Sequence, residues 1–339
     1  HYRNSQDTDL ARSLNIVGVT LGKLNEPENG VEYLQRAYEI RKSVYKTAVN
    51  HSDLVQSMNS LGIVSGLLGE HEKSLDYFRR AIEMSNKIYP ANNPISANIL
   101  QNLASVQIEM GKFEESLSSA LESLGIIKQI YASGRHPEIA YALDAVGCAY
   151  SRLDDTDRAL EYYLRALEMR RELFNGEDHA DLALSYQSIA FVYGQQRERE
   201  KQLDYHLRAL QIRERIFKEN HVDLAASLHN VASAYYLLGD ELNALNYYLI
   251  ALDMRKRILN RNNRTLADTF FNVAALYLKS ANYESALCNG LEALEIMRNA
   301  TSTTTDVLDC LMLVSLSYFY KSDYANGIEF SLNALNQLE

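Results

Sequence analysis

The fold is decided by one stretch of sequence, residues 221–254, which reads HVDLAASLHNVASAYYLLGDELNALNYYLIALDM. Its first half carries a small residue, Ala232, in an apolar periodic run and stops at Gly239, which predicts one helix with a glycine end. Its second half places Tyr248 and Ala251 three residues apart on one apolar stripe, which predicts a second helix. The stretch therefore predicts a helix-turn-helix unit.

The same unit recurs along the whole chain. Its first apolar stripe residue falls, at spacings of 41 to 44 residues, on Val31, Leu75, Leu117, Leu160, Leu203, Leu245, Leu287 and Ile328. A fixed period of this size is the signature of a repeat architecture. We expect repeats at about 7–50, 51–92, 93–135, 136–178, 179–220, 221–262, 263–303 and 304–339.

Three further positions keep the same register. A polar residue that can cap the first helix stands at Asp7, His51, Asn93, His136, His179, His221, Asn263 and Thr304. Eleven residues later a small residue stands at Gly18, Gly62, Ala104, Gly147, Ala190, Ala232, Ala274 and Ser315. The second helix carries an alanine at Ala37, Ala81, Ala166, Ala209, Ala251, Ala293 and Ala334, and Ser123 is the exception. Small residues at facing positions let two helix axes approach closely.

Composition limits the alternatives. The 339 residues include 4 prolines, 15 glycines and no tryptophan, too few turn-formers for a fold built on many tight turns. No apolar run approaches the roughly 18 residues of a membrane helix. The net charge of −10 disfavours binding to nucleic acid or to an anionic membrane. Three cysteines without CxxC spacing predict a reducing compartment and a cytoplasmic protein. Because residue 1 is His, we expect a piece of a longer chain.

With these repeats the chain resembles the tetratricopeptide repeat (TPR) family, in the 42-residue form of kinesin light chains. The resemblance rests on residues 221–239 and 244–254 and extends over essentially the whole chain. It implies an all-α, right-handed α-solenoid of about eight TPR helix-turn-helix repeats, or about 16 helices, forming a single array over residues 1–339. In the family the first helix of each repeat lines a concave groove.

The resemblance also implies a row of groove residues, three positions before each small residue. We call this row the ladder; its members are Asn15, Asn59, Gln101, Asp144, Gln187, His229, Phe271 and Met312. In kinesin light chains an asparagine ladder at this position holds an extended peptide, because an amide offers a donor and an acceptor to a peptide unit. The alternative is that these amides are solvated or cap neighbouring helices.

The predicted groove changes character along the chain. Repeats 6–8 add the apolar residues Tyr236 and Phe319 to Phe271 and Met312 of the ladder, and an exposed apolar patch marks an interaction surface. Either a partner or a second copy covers this patch, or a missing C-terminal helix does. Both signs of charge line the groove, unlike the basic groove with which kinesin light chains take acidic peptides.

The remaining residues carry no recognisable chemical motif. The four histidines at cap positions are spread over the repeats, and no nucleotide-binding, nucleophile-elbow or zinc pattern occurs, so we expect no catalytic, cofactor or metal site. His206 takes an aromatic position and is expected to be packed. The basic stretches 165–171 and 208–215 are interpreted as solvated, salt-bridged outer faces.

The sequence thus predicts a non-enzymatic scaffold that binds an extended peptide or protein segment and belongs to a larger protein. One alternative is a sensor or autoinhibitory arm that regulates an enzymatic or DNA-binding domain outside this sequence. Another is a homo-oligomerisation module acting through repeats 6–8.

Overall fold

The computed structural model describes residues 2–24, 26–46, 50–90, 92–132, 134–299 and 304–337. In these residues the chain forms sixteen α-helices, which confirms the predicted all-α class. They are α1 Tyr2–Lys23, α2 Pro27–Val44, α3 Ser52–Leu67, α4 His71–Ile88, α5 Pro94–Glu109, α6 Phe113–Ile130, α7 Pro137–Arg152, α8 Thr156–Leu173, α9 Ala180–Gln195, α10 Arg199–Ile216, α11 Val222–Leu238, α12 Glu241–Ile258, α13 Arg264–Lys279, α14 Tyr283–Asn299, α15 Thr304–Tyr320 and α16 Tyr324–Asn336. No helix in the described ranges is both long and apolar enough to cross a membrane.

The helices group into two compact units. The first unit ends at Gly176 and contains α1–α8; the second begins at Glu177 and contains α9–α16. Within each unit every helix contacts the next one along the chain, and the tightest association is within a pair such as α1–α2 or α13–α14. Each unit is therefore a stack of four helix pairs. That the two units continue one uninterrupted array remains a prediction.

The caps of the first helices form as the sequence predicts. Six cap side chains accept a hydrogen bond from a backbone N–H of the first turn: His51, Asn93, His136, His179, His221 and Asn263. The histidines use Nδ1, as in the 3.2 Å bond from Asp53 N to His51 Nδ1. Three of these rings also stack on an aromatic residue at the end of the preceding helix, with Tyr131 and His136 centroids 3.4 Å apart. Capping and stacking together account for histidine at this position.

The remaining two predicted caps are Asp7 and Thr304. Asp7 is not a cap, because α1 already begins at Tyr2 and Asp7 lies inside the helix. No proline or glycine precedes Asp7 in residues 1–6, so nothing in the chain stops the helix there. Thr304 is the first residue of α15, and its side chain lies outside the described residues.

Several first helices end next to a residue in the left-handed conformation, which is glycine in some repeats and another residue in others. Gly69, Gly111 and Gly239 end their helices at φ of 75°, 72° and 84°, the left-handed conformation that glycine adopts without strain. Equivalent turns elsewhere use non-glycine residues in the same conformation, among them Asp154 and Arg197, both at φ 61°.

Helix pairs close where the small residue of the first helix faces the second helix. A Cβ built on Gly62 would lie 2.6 Å from a ring carbon of Phe78, and one on Gly18 would lie 2.6 Å from Leu34 Cγ. Phe78 and Leu34 are completely buried. The large residue of the second helix thus fills the space that a side chain at the small position would occupy.

We predict opposite effects for the same substitution at two helical glycines. Gly62→Ala forces its Cβ into Phe78 and should lower stability by about 1–3 kcal/mol, whereas Gly125→Ala meets no atom within 4 Å and should raise it by about 0.5–1 kcal/mol. Thermal and urea unfolding, followed by circular dichroism, measure both. Equal shifts at the two sites would contradict the close approach at Gly62.

Candidate functional site

The ladder residues lie on the first helices, which also contact one another. In the first unit α1 contacts α3, α3 contacts α5, and α5 contacts α7; in the second unit α13 contacts α15. First helices therefore form a continuous inner row in the first unit. Side chains on this row, the predicted ladder among them, meet across repeats.

Two ladder residues of the first unit contact the next repeat directly. Asn15 is 5 % exposed, and its Nδ2 donates to Ser60 Oγ at 3.1 Å. Asn59 is half-buried; its Oδ1 accepts from Asn102 Nδ2 at 3.0 Å, and its own Nδ2 donates to Asn98 Oδ1 at 3.5 Å. A ladder residue thus meets the residue that follows the ladder position in the next repeat.

A column of buried arginines on the second helices holds several other ladder residues. Ten residues after the first stripe position the second helix carries Arg41, Arg170, Arg213 and Arg255, which are exposed by 1 %, 1 %, 6 % and 8 %. Arg170 and Arg213 fall in the basic stretches that the sequence analysis interpreted as solvated. That interpretation is wrong for these two, because this register turns them towards the interior of the helix pair. Their neighbours Arg165, Arg171, Arg208 and Arg215 are exposed and form surface ion pairs.

Each arginine pairs its guanidinium with polar groups of first helices. Arg213 Nη1 donates to Gln187 Oε1 at 2.8 Å and to Ser227 Oγ at 2.5 Å. Arg170 Nη2 lies 2.5 Å from Asp144 Oδ2 in an ion pair. Gln187 and Asp144 belong to the same repeat as their arginine, whereas Ser227 belongs to the following repeat, so Arg213 links its helix pair to the next one.

The other two arginines repeat this geometry. Arg41 Nη1 donates to Ser57 Oγ at 2.7 Å and to Asp53 O at 2.9 Å. Arg255 Nη1 donates to Thr265 O at 2.8 Å and to Thr269 Oγ1. In both cases the acceptors are a carbonyl and a hydroxyl on the first helix of the next repeat.

The contact with Arg255 fixes the protonation state of the ladder residue His229. Arg255 Nη1 lies 3.2 Å from His229 Nδ1. Because a guanidinium can only donate, Nδ1 must accept, and the ring is neutral with its proton on Nε2. Burial and then the charge of Arg255 lower the pKa of His229 to about 4. His206 is buried as predicted, and burial with Arg213 lowers its pKa to about 4 as well.

Asn59 and Gln101 are the ladder amides in repeats whose second helix carries no arginine at the column position. The corresponding second-helix positions in their repeats are Ser85 and Ile127. Asn59 instead contacts the amides of Asn98 and Asn102. Gln101 Nε2 is enclosed and has no hydrogen-bond partner among the described residues. We call Asn59, Asn98, Gln101 and Asn102 the amide cluster.

A cleft of about 430 Å³ opens beside the amide cluster, between α3 and α5. Gln56, Asn59 and Asn98 line it together with the apolar residues Tyr89 and Ile95. Polar groups that can fix a backbone thus stand next to apolar surface that can receive a side chain, a combination typical of ligand clefts.

The apolar residues predicted for the groove divide into two groups. Phe271 is half-buried and packs against the core of the second unit. Tyr236, Met312 and Phe319 are exposed by 45 %, 57 % and 54 %. The Lys279 ammonium lies over the Tyr236 ring, 5.6 Å from its centroid. Two of these three exposed residues, Met312 and Phe319, lie on α15 of the last helix pair, and Tyr236 lies on α11.

Sequence comparison identifies the family. The profile of the tetratricopeptide repeat matches residues 9–87, 53–129, 95–172, 181–257 and 223–299, well over half of the chain. The chain belongs to the tetratricopeptide repeat family. The comparison with curated protein sequences gives no match.

Solved structures share the fold at low sequence identity. BtubC (BKLC) from P. vanneervenii is 19 % identical, with a TM-score of 0.59 over 66 % of this chain and 90 % of its own. TPR-like kinesin light chain repeats from Podosopora anserina are 16 % identical, with a TM-score of 0.51 over 61 % and 97 %. A signal transduction ATPase with a TPR sensor from Pyrococcus horikoshii is 16 % identical, with a TM-score of 0.67 over 92 % of this chain and 52 % of its own. Identity at this level supports the fold alone.

Sequence reasoning missed the arginine column although a signal for it exists. Where the second helix carries Arg41, Arg213 or Arg255, the next first helix carries Ser57, Ser227 or Thr269 in register. Where the arginine is replaced, the hydroxyl is replaced too: Ser85 precedes Ile99, Ile127 precedes Ala142 and Met297 precedes Cys310. This pairing within one chain indicates a contact between repeats.

We predict that removing a buried arginine costs far more stability than removing an exposed one on the same helix. Arg255→Met leaves Thr269 Oγ1 and His229 Nδ1 without the guanidinium donor and should lower stability by about 1–3 kcal/mol. Arg257→Met, whose side chain is 61 % exposed and paired with Asp253, should change it by less than about 1 kcal/mol. Urea unfolding of both variants measures the difference, and equal losses would contradict a buried clamp.

We also predict a pH dependence carried by His229. In the unfolded chain the ring protonates near its ordinary pKa of 6.5, while in the folded protein it stays neutral down to about pH 4. Protons then bind preferentially to the unfolded state, so stability is lost as the pH falls through this window, by up to roughly 1.4 kcal/mol per pH unit. His229→Gln should flatten this decline, measured by urea midpoints from pH 8 to 4. The difference at pH 8 gives the baseline, and parallel curves would contradict the prediction.

Proposed function

We propose that this chain is a non-enzymatic protein-interaction domain that binds an extended peptide segment at the amide cluster of the first unit. Membership of the tetratricopeptide repeat family supports a protein partner. The proposal includes a cytoplasmic location, which the three free cysteines favour.

One observation carries the choice of site: the amides of Asn59 and Gln101 are not engaged by the arginine column. Asp144, Gln187 and His229 are engaged by it, so binding a ligand there requires giving up an internal contact. Gln101 Nε2 has no partner to lose among the described residues. Because this nitrogen is enclosed, the Gln101 side chain must turn outwards before a ligand carbonyl can supply the missing acceptor.

The amide cluster suits a peptide backbone for a chemical reason. Each primary amide offers both a donor and an acceptor, which matches the alternating N–H and C=O groups of an extended chain. A net gain of about 0.5–1.5 kcal/mol per hydrogen bond over three or four contacts yields only weak affinity. The apolar cleft beside Asn59, lined by Tyr89 and Ile95, would add binding energy and select a side chain.

The proposed site is shorter than the full ladder that the sequence predicts. Asn15 is buried against Ser60, and the second unit presents Gln187 and His229 already bonded. We therefore propose a short site in repeats 2 and 3, with Asp144 and Gln187 as contacts that form only if their arginines rearrange.

A sensor or autoinhibitory arm is the second candidate. The Pyrococcus horikoshii protein, which carries a TPR sensor, aligns with 92 % of this chain while the chain covers 52 % of that protein. By analogy a peptide bound at the amide cluster would be the signal, and a further domain would respond. Self-association, the third candidate, is favoured by the apolar residues that the last helix pair exposes.

We predict that alanine substitution of Asn59, Asn98 and Gln101 weakens binding of a selected peptide. Peptides would be selected from a random display library against the native chain and their affinities measured by calorimetry. Loss of two or three hydrogen bonds at about 1 kcal/mol each should weaken binding roughly ten- to a hundredfold.

The matched control replaces two exposed amides on a second helix of the same unit, Asn29→Ala with Gln35→Ala. These side chains lie on α2, and the control should bind as the native chain does. Unchanged affinity in the folded triple variant, or an equal loss in the control, would rule out the amide cluster as the site.

A further inference from the structure

The last helix pair exposes an apolar face with a cleft of about 530 Å³. Met312 and Leu316 on α15 and Leu335 on α16 line it and are exposed by 57 %, 45 % and 57 %. Asp309 also borders the cleft, which is otherwise lined largely by apolar and small side chains. Such a surface is an interaction site in need of an occupant.

The internal repeats show what kind of element covers this face. Leu335 stands seven residues after the first stripe position of its helix, the position taken elsewhere by Leu124, Leu252 and Leu294. Those three leucines are 4 %, 3 % and 3 % exposed. In each case the second helix contacts the first helix of the next pair: α6 contacts α7, α12 contacts α13 and α14 contacts α15. The natural occupant is therefore a first helix.

Among the described residues, the first helix α1 has its matching face uncovered. On α1, Leu10 and Val17 are exposed by 45 % and 42 %. The residues at the same register of α3, Leu54 and Leu61, are buried to 6 % and 1 %, and α3 contacts both α1 and α2. The exposed face of α1 is thus the face with which a first helix packs on the pair before it.

The contact between successive first helices gives a register for joining the two faces. Asn15 contacts Ser60, and Asn59 contacts Asn102, so a ladder residue meets the residue one position beyond the ladder in the next repeat. Continued past the last pair, this rule brings Met312 against Ile16 of another copy. Both are apolar and exposed, by 57 % and 60 %, whereas the internal pairs are polar.

We propose that copies of this chain associate head to tail, with α1 of one copy packing on the α15–α16 face of the next and Met312 contacting Ile16. The contact is heterologous, since two different surfaces meet, so it can extend to further copies. It uses no residue of the amide cluster and does not depend on peptide binding.

The test uses two variants that each block one surface. Ile16→Glu blocks the α1 face, and Met312→Glu blocks the α15–α16 face, because each would bury an unpaired carboxylate. Sedimentation velocity over a hundredfold range of concentration should show the native chain growing in mass. Each variant alone should remain a monomer of 38.5 kDa, and an equimolar mixture should form a species of twice that mass and no larger one.

The mixture distinguishes this contact from the other occupants of the face. A symmetric contact between two α15–α16 faces would leave Ile16→Glu associating on its own, and that result overturns the proposal. A native chain that stays monomeric throughout also overturns it and leaves the face to a helix of another protein. Leu242→Glu, at a residue 72 % exposed on α12, is the matched control and should associate like the native chain. Circular dichroism verifies that all variants are folded.

Discussion

The close approach of two helices at one small residue is the constraint on which the rest of the molecule depends. At Gly62 there is no room for even a Cβ against Phe78, and Gly18 meets Leu34 in the same way. The last pair solves the same problem with a hydroxyl, since Ser315 Oγ donates to Gly327 O at 2.8 Å. A pair closed this way buries only one side of each helix. The opposite sides remain apolar, so each pair requires a neighbour, and stacking follows from the local packing.

Stacking by apolar contact alone leaves the register between helix pairs weakly defined. The arginine column defines that register more narrowly. A buried guanidinium that reaches Ser57 and Asp53 O, or Ser227 and Gln187, has few alternative positions in which its donors are satisfied. Burial lowers the pKa of Arg213, which shows that the charge is kept at a cost in solvation. We infer that the column contributes specificity of register more than net stability, a role known for buried polar groups.

The fold could be predicted from the sequence because its determinants are local and recur. Each determinant lies within one helix pair: the caps such as His51 and His136, the small residues and the glycine ends. Each pattern is a weak indication alone, but its recurrence at a fixed spacing predicts the fold. The arginine column could not be predicted from composition, since Arg170 and Arg171 are neighbours in sequence and only the first is buried. Burial there depends on a helix distant in the sequence, the first helix of the same pair, on which Asp144 pairs with Arg170. The start of α1 before Asp7 was missed because Asp7 fits the cap register, although the helix already begins at Tyr2.

One register position therefore serves three different purposes along a single chain. Where an arginine stands opposite it, as at Gln187 and His229, the ladder residue completes the internal hydrogen bonding and is unavailable without a rearrangement. Where the arginine is absent, as in repeats 2 and 3, the amides face one another and a cleft. In the last pair Met312 is exposed and apolar. Function in such an array is not carried by the consensus of the repeat, which only builds the stack. It is carried by the departures from that consensus, and the partner of a ladder residue within the fold decides whether the residue can still bind anything else.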